Sequence, residues 1–220
     1  MRVDVIVPVF RDNAALKQLL EASAERDLSE RIQVVFGEPD SAGQALAERC
    51  GVIWTSAERA GRASQMNHGA ASAEGDVLLF LHADSQPPPD ALEAIQDAVF
   101  HGAVGGAFTR RFDTPSRLLR FACWLADWRG RALGIFLGDQ GLFVRREVFE
   151  ALGGFDEEAR YEDLDFSQRL RGTGRTILLP QVLISSARRF QRRGVVRQSL
   201  SDFLAIVSSI ARSCLSKPAP

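Results

Sequence analysis

Four short clusters of polar residues in this sequence have the types and the spacing of groups that hold or move charge. In the first cluster, His82 and Asp84 directly follow the most apolar run of the chain, DVLLFL (76–81). If that run is a strand of an open parallel sheet, its carboxyl end lies at the ligand crevice. A carboxylate there, two residues from a second polar side chain, can hold Mg²⁺ or Mn²⁺ against phosphate oxygens. The alternative is that Asp84 only caps the turn before the prolines at 87–89.

The second cluster places three acids within four residues, Glu162, Asp163 and Asp165, at the start of a predicted helix. Acidic side chains are common at such a position because the helix dipole favours negative charge at its N-terminus. A carboxylate that points into the crevice and is partly shielded from water would instead act as a general base. The residues alone leave both interpretations open.

The third and fourth clusters contain arginines that could bind an anion. Gly61 precedes a predicted helix that begins at Arg62 and includes Asn67, and the N-terminus of a helix suits a phosphate. The fourth cluster, SARRFQRR (186–193), contains Arg188 and Arg189. It is either a solvated basic face or a local phosphate clamp, because guanidinium groups match phosphate oxygens in shape and charge.

Composition and charge exclude several classes of function. The 220 residues carry a net charge of −1, although residues 166–201 hold eight arginines and no acid. A neutral chain with one tyrosine is not typical of nucleic-acid binding, so we predict no nucleic-acid partner. The three cysteines are far apart, and no apolar run approaches the ~20 residues that span a bilayer. The N-terminus predicts a strand rather than a secretory signal, so we expect a cytoplasmic protein.

Alternating strands and helices in the first half predict a parallel sheet of the nucleotide-binding kind with both faces covered. After about residue 104 the alternation ends and the pattern becomes irregular. The predicted strands are 3–8, 33–36, 52–55, 76–81, 104–112, 176–179 and 182–186. The first predicted helix begins near residue 12. The other predicted helices cover 42–50, 62–73, 91–100, 118–136 (one helix or a pair), 145–152, 162–171 and 196–213.

Seven motifs occur in a fixed order along the chain. They are IVPVF (6–10), GRASQMNHGA (61–70), GDVLLFLHADSQPPPDAL (75–92), VGGAF (104–108), GDQGLFVRREVFEALGGFDE (138–157), EDLDFSQRLRGTG (162–174) and SARRFQRRG (186–194). Together they resemble the family 2 glycosyltransferases with the GT-A fold, in particular a small bacterial branch, the radical-SAM/selenodomain-associated transferases. The resemblance implies an α/β fold with a mainly parallel central sheet flanked by helices and an irregular helical C-terminal part.

The same resemblance implies one domain over residues 1–220. Residues 1–103 would form its nucleotide-binding half and residues 104–195 its acceptor and catalytic half. Residues 196–213 would add an amphipathic C-terminal helix.

The resemblance also implies roles for individual residues. On the donor side, the positions that would contact the nucleotide base, the diphosphate or the ribose are Pro8, Val9, Arg62, Asn67, His82, Asp84, Arg188 and Arg189. Asp84 would also bind the divalent metal, Mg²⁺ or Mn²⁺. Asp139 and Gln140 would line the acceptor side, and Asp163 of the Glu162-Asp163 pair would be the general base.

The implied reaction is transfer of a sugar from a UDP- or GDP-sugar to an acceptor hydroxyl, with inversion at the anomeric carbon. Two positions depart from the family pattern. Phe36 stands where an acid usually contacts the base, although Glu38 or Asp40 could substitute, and His82 replaces the first acid of the metal motif. These departures keep a second hypothesis open, a catalytically weak nucleotide-sugar binding protein. A sugar-1-phosphate nucleotidyltransferase is a third, disfavoured because the first-strand loop lacks a glycine-rich run ending in a basic residue.

Two apolar stripes on predicted helices could contact a second copy of the chain or a membrane. One includes Trp124 and Trp128, and the other lies in the predicted helix 196–213. Such stripes usually form core or homodimer contacts. The alternative is contact with the inner face of the membrane, where a lipid-linked acceptor would be found.

Overall fold

The computed structural model describes residues 1–24, 31–59 and 61–188. Within these ranges eight strands form one sheet: β1 (Val3–Val9), β2 (Ile32–Phe36), β3 (Ile53–Ser56), β4 (Val77–Phe80), β5 (Ser85–Gln86), β6 (Gly105–Phe112), β7 (Leu142–Arg145) and β8 (Thr176–Ser185). Their order across the sheet is β3-β2-β1-β4-β7-β6-β8-β5. One continuous sheet therefore contains strands from both halves of the sequence.

The helices of the described ranges are α1 (Asn13–Ala24), α2 (Ser41–Arg49), α3 (Arg62–Ser72), α4 (Ala91–Phe100), α5 (Arg117–Leu133), α6 (Arg146–Ala151) and α7 (Glu162–Leu170). A short 3₁₀ turn, Gly138–Gln140, precedes β7. None of these helices is long and apolar enough to cross a bilayer. The predicted C-terminal helix, 196–213, lies outside the described residues.

The first half of the sheet has the predicted parallel arrangement, since β3, β2, β1 and β4 are paired in parallel. Strand β1 is apolar on both faces because helices cover both sides. Val5 packs in a core cluster that includes residues of α1, α2 and α4. Ile6, its neighbour, packs in a second cluster with residues of α3, α6 and α7. The α/β fold with helices on both faces is therefore confirmed.

The second half of the sheet is mixed, as its irregular sequence pattern indicates. Strand β7 runs antiparallel to both β4 and β6, whereas β8 runs parallel to β6. The predicted helix 145–152 is preceded by β7, which the sequence analysis missed. Segments 176–179 and 182–186 form one strand, β8, whose register shifts opposite Phe108 and Thr109. Pro180 lies in that irregular part, where the absence of an N–H is tolerated.

The segment 118–136, predicted as one helix or a pair, contains one helix, α5, which ends at Leu133, so the prediction extended three residues too far. Both ends of α5 are capped. The hydroxyl of Ser116 accepts a hydrogen bond from the backbone N–H of Leu119 at 3.4 Å. Gly134 ends the helix in the left-handed region, with φ of 60°, which glycine adopts without steric cost. The chain then leads directly to the 3₁₀ turn Gly138–Gln140, so α5 fixes where that turn lies.

Candidate active site

Arg62, the first residue of α3, connects three of the predicted site residues. Its Nε donates to Glu162 Oε1, its Nη1 lies 3.1 Å from His82 Nε2, and its Nη2 lies 3.3 Å from Asp163 Oδ2. Burial alone would lower the pKa of this guanidinium, but the carboxylates of Asp163 and Glu162 raise it above its ordinary value. Because arginine only donates, His82 Nε2 acts as the acceptor in their contact.

Asp163 is held in place from three sides. Its Oδ2 accepts hydrogen bonds from Arg62 and, at 2.7 Å, from the backbone N–H of Gly138. Its Oδ1 accepts from the backbone N–H of Leu164 at 2.8 Å. The side chain is only 11% exposed. A carboxylate accepts up to about four hydrogen bonds, so these three orient the group without exhausting its acceptor capacity.

Gly138 is required by this close approach, and we expect Gly138→Ala to disturb the site. A Cβ atom there would lie 3.1 Å from both Asp163 Oδ2 and His82 Nε2, so one of these side chains must shift. The free energy of unfolding, measured by urea denaturation, should fall by about 1–2 kcal/mol. The control is Gly172→Ala at an exposed glycine outside the site, where the added Cβ would lie 3.2 Å from the carbonyl oxygen of Arg169 and would touch no site residue. Equal effects of the two substitutions would contradict this account.

A second group of charges surrounds Asp84. The Nη2 atom of Arg188 lies 2.8 Å from Asp12 Oδ2 and 3.6 Å from Asp84 Oδ2, so one guanidinium bridges two carboxylates. Burial raises the pKa of the Asp84 carboxyl; Arg188 opposes this shift, and the nearby acids Asp12 and Asp139 reinforce it. The structure thus places Arg188 beside Asp84. Arg189 lies outside the described residues.

The residues around Asp84 fit a metal only if a ligand supplies most of its oxygens. The described part of the chain contains no group of three or more His, Cys, Asp or Glu side chains that could enclose a metal ion. Asp84 offers one carboxylate, and His82 Nε2 faces Arg62. Mg²⁺ is commonly held by one or two carboxylates together with substrate phosphates and water. The raised pKa of Asp84 also indicates a carboxylate that a cation would stabilise.

Asp139 and Gln140 have different environments although they are neighbours. Asp139 pairs with the buried guanidinium of Arg110. Burial would raise the pKa of Asp139, but the guanidinium groups of Arg110 and Arg129 lower it below its ordinary value. Gln140 is completely buried, and its Oε1 accepts from Arg129 Nη2 at 2.9 Å. Gln140 therefore holds the 3₁₀ turn in place, while Asp139 remains 31% exposed.

Two donor-side residues predicted from the sequence, Val9 and Asn67, make hydrogen bonds within the protein. Val9 is buried, and its carbonyl oxygen accepts from Gln65 Nε2 at 2.9 Å. Pro8 is partly buried in the same strand. The amide of Asn67 pairs with the backbone of Phe155, donating to its carbonyl and accepting from its N–H, both at 2.9 Å. Asn67 thus joins α3 to the loop that precedes α7.

The position of Phe36 explains one departure from the family pattern. Its side chain is buried at the end of β2, where its ring packs edge-on against Trp54 with centroids 6.2 Å apart. The two possible substitutes are engaged elsewhere. Glu38 pairs with Arg11, and the resulting hydrogen bond lowers the pKa of the Glu38 carboxyl. Asp40 caps α2 by accepting from Gly43 N–H at 2.9 Å.

Beside Arg62 an open cleft of about 300 Å³ extends along the start of α3. It is lined by Arg59, Gly61, Arg62, Ala63, Ser64, Glu157, Glu158, Ala159 and Glu162. The sequence analysis missed Gln65, which is buried and binds the carbonyl oxygens of both Val9 and Val35. The available signal was its polar side chain three residues after Arg62, on the buried face of the predicted helix. It also missed Arg110, which pairs with Asp139, and the contact of Arg129 with Gln140.

Comparison with known families agrees with this geometry. The sequence model for glycosyl transferase family 2 matches residues 4–150, which include β1, β4 and α3. This chain belongs to glycosyl transferase family 2. The predicted family is therefore confirmed.

Relatives of this family 2 chain differ from it in length. An undecaprenyl-phosphate 4-deoxy-4-formamido-L-arabinose transferase of Pseudomonas paraeruginosa is 29% identical over 68% of this chain and 49% of its own length. A probable glycosyltransferase of Bacillus subtilis, YdaM, is 26% identical over 79% of this chain and 47% of its own length. The chain thus spans about half the length of the curated relatives it matches.

Solved structures show the same fold. A mannosyltransferase from Pyrobaculum calidifontis, in complex with GDP-Man and Mn²⁺, matches with a TM-score of 0.76 and 23% identity, covering 100% of this chain and 66% of that one. TarS of S. aureus (residues 1–349) in complex with UDP-GlcNAc matches with a TM-score of 0.64 and 15% identity, covering 84% of this chain and 58% of that one. The predicted GT-A fold is therefore confirmed.

Proposed function

We propose that this chain transfers a sugar from a nucleotide diphosphate donor, a UDP- or GDP-sugar, to an acceptor oxygen with inversion of the anomeric carbon. The observation that carries the proposal is the connected set of side chains described above. Asp163 is oriented by Arg62 and Gly138, and Arg62 also contacts His82, two residues before Asp84. An acid suited to take a proton thus lies near a charged group suited to hold a diphosphate.

Asp163 is the proposed general base. The hydrogen bonds from Gly138 and Leu164 fix its carboxylate and leave acceptor capacity for the hydroxyl of an acceptor. When the hydroxyl oxygen attacks the anomeric carbon, its proton passes to Asp163. The bond from that carbon to the diphosphate oxygen breaks in the same displacement, so the configuration inverts. Glu162 acts indirectly, through its bond to Arg62.

The proposed diphosphate site combines Arg62, Asp84 and Arg188. The leaving diphosphate gains negative charge as the bond breaks, and preorganised cations stabilise such charge. Asp84 would hold a divalent metal together with the diphosphate oxygens, and the bound metal supplies electrostatic stabilisation of the leaving group. Arg188, 3.6 Å from Asp84 in this structure, is close enough to contact the same diphosphate. The metal complex of the Pyrobaculum transferase supports a metal-assisted reaction.

The acceptor is proposed to be lipid-linked. Several relatives, each matched by this chain over about half of the relative's length, are named undecaprenyl-phosphate 4-deoxy-4-formamido-L-arabinose transferases. The structurally similar TarS of S. aureus was solved with UDP-GlcNAc, which supports a nucleotide-sugar donor for this chain. Because the Pyrobaculum transferase was solved with GDP-Man, the donor is proposed to carry either uridine or guanosine.

Calorimetry with UDP- and GDP-sugars, with and without Mn²⁺, tests the proposed function. We expect one donor to bind more tightly with Mn²⁺ and to be turned over slowly to nucleoside diphosphate. Tight binding without any turnover, with or without added acceptor lipid, would instead support a nucleotide-sugar binding protein. Failure of every donor to bind would refute the proposal.

Asp84→Asn should abolish the effect of Mn²⁺ on donor binding without destabilising the fold. The native carboxyl has a raised pKa, so in the folded state it holds its proton to a higher pH than in the unfolded chain. Its contribution to stability is therefore favourable at low pH and is lost as the pH rises through the folded-state pKa. The neutral amide avoids that loss, so the thermal midpoint at neutral pH should not fall. Asp76→Asn, at an exposed carboxylate, is the control. Unchanged Mn²⁺ dependence in Asp84→Asn would contradict the metal assignment.

A further inference from the structure

The outer face of α5 exposes a stripe of large apolar side chains, which we call the α5 face. Its members are Leu118 (38% exposed), Phe121 (55%), Trp124 (58%), Leu125 (38%) and Trp128 (56%). At 100° per residue these positions fall on one side of the helix, opposite the side that packs on β6 and β8. The rings of Phe121 and Trp124 stack with centroids 5.7 Å apart. Five large apolar groups on one face form a patch that points to an interaction site.

The charges around the α5 face all have one sign. Arg117, Arg120 and Arg131 are exposed on the same helix, and helical geometry puts Arg120 and Arg131 along one edge of the apolar stripe. The single acid of the helix, Asp127, is buried and pairs with Arg111 at 2.9 Å. The outer face of α5 is therefore apolar and basic, with no exposed acid.

We propose that the α5 face binds the surface of an anionic phospholipid membrane. Tryptophan and phenylalanine partition to the interface between headgroups and acyl chains, and arginines beside them attract anionic lipids. The helix is about 25 Å long, at 1.5 Å per residue, and would lie in the plane of the interface rather than across it. This combination of aromatic stripe and arginine edge is the pattern of an interfacial helix.

Charge disfavours the other two candidates for this surface. A second copy of the chain, docked through the same face, would bring two sets of arginines together. Residues 189–220 hold six basic residues and one acid, so their net charge also has the sign of the α5 face. Of these candidates, an anionic lipid surface is the one that complements both the arginines and the apolar stripe.

The inner side of α5 connects this surface to the candidate active site. Arg129 of α5 binds Gln140 at 2.9 Å, and the turn that contains Gln140 also contains Gly138, which donates to Asp163. A membrane-bound α5 would hold the acceptor side of the site next to the lipid headgroups. The proposal itself does not depend on sugar transfer, because membrane binding can be measured without any donor.

The test is flotation of the purified full chain with vesicles of phosphatidylcholine alone or with about one third phosphatidylglycerol. The native chain should float with the anionic vesicles, and its tryptophan emission should shift to shorter wavelength. The double variant Trp124→Ser, Trp128→Ser should bind those vesicles about tenfold or more weakly. The triple variant Arg117→Gln, Arg120→Gln, Arg131→Gln should lose the preference for anionic vesicles. Phe100→Ser, at an aromatic side chain 85% exposed on α4, is the matched control and should bind normally.

Four results would overturn the proposal. The native chain could fail to bind anionic vesicles, or the double tryptophan variant could bind as well as the native chain. Sedimentation velocity could show that the native chain forms a dimer and that the double tryptophan variant does not. That result would assign the α5 face to contact with a second copy of the chain. Finally, the tryptophans could already be shielded from acrylamide without vesicles, which would show that the chain covers its own α5 face. Circular dichroism of each variant checks that a loss of binding is not a loss of folding.

Discussion

Asp163→Asn should reduce kcat for sugar transfer by about 10²–10⁴-fold while donor binding is retained. General bases contribute rate factors of this size, and an amide cannot accept the proton of the acceptor hydroxyl. The asparagine oxygen can still accept from Gly138 or Arg62, so the local structure should be largely preserved. The measurements are the steady-state rate of transfer and the donor affinity by calorimetry.

The matched control for this variant is Asp165→Asn, two residues further along α7. The Asp165 carboxylate is 41% exposed and pairs with Arg169 at 2.8 Å, one helical turn away. Its neutralisation should leave kcat nearly unchanged. Full activity of Asp163→Asn would refute the base assignment, and equal losses in both variants would show that the effect arises from α7 as a whole.

Arg62→Ala should give the largest loss of stability among single substitutions in the site. Removing the guanidinium leaves Glu162 and Asp163, each with a side chain only 11% exposed, without their shared cation. Loss of one partner from a buried charge pair is costly because the remaining charge stays desolvated. Since Arg62 is itself 34% exposed, we expect the free energy of unfolding to fall by about 2–4 kcal/mol.

Two further variants make this prediction specific. Arg59→Ala removes a neighbouring arginine that is 74% exposed and lies 3.6 Å from Glu157, so it should cost less than about 0.5 kcal/mol. Arg62→Lys keeps the charge but cannot contact Glu162, His82 and Asp163 together, so its loss should be intermediate. The urea midpoints at constant m value provide the comparison. Similar midpoints for Arg62→Ala and Arg59→Ala would contradict the central role of Arg62.

The elements that the sequence predicted well are those with a strong local pattern. Strand β1 is a continuous β-branched run, and α3 follows Gly61, so both could be predicted from their own residues. Strands β5 and β7 could not, because they have two and four residues and exist through pairing with β8 and β4. Strand β8 was split in two because Pro180 breaks the local pattern, whereas its pairing with β6 continues on both sides of the irregularity.

The site was predictable residue by residue but not as an arrangement. Local motifs indicated Arg62 and the acid pair separately, but their contacts join residues 100 or more positions apart. For Asn67 and Gln140, the motif predicted the position but not the contacts of the side chain. Both occupy family motifs, yet their side chains bind Phe155 and Arg129, because a motif position does not reveal which way a side chain points. The roles proposed for Asp84 and Asp163 stay predictions until the variants are measured.

The bridge between Arg188, Asp12 and Asp84 has a thermodynamic consequence for the proposed reaction. A divalent cation bound to Asp84 would replace a positive charge that the chain already supplies, so its binding would be an exchange of counterions rather than a simple addition. Arg188 would keep its closer pair with Asp12 but would lose the one with Asp84 unless a diphosphate arrives to accept its guanidinium. Metal and donor should therefore bind with positive linkage, each raising the affinity for the other by the same factor.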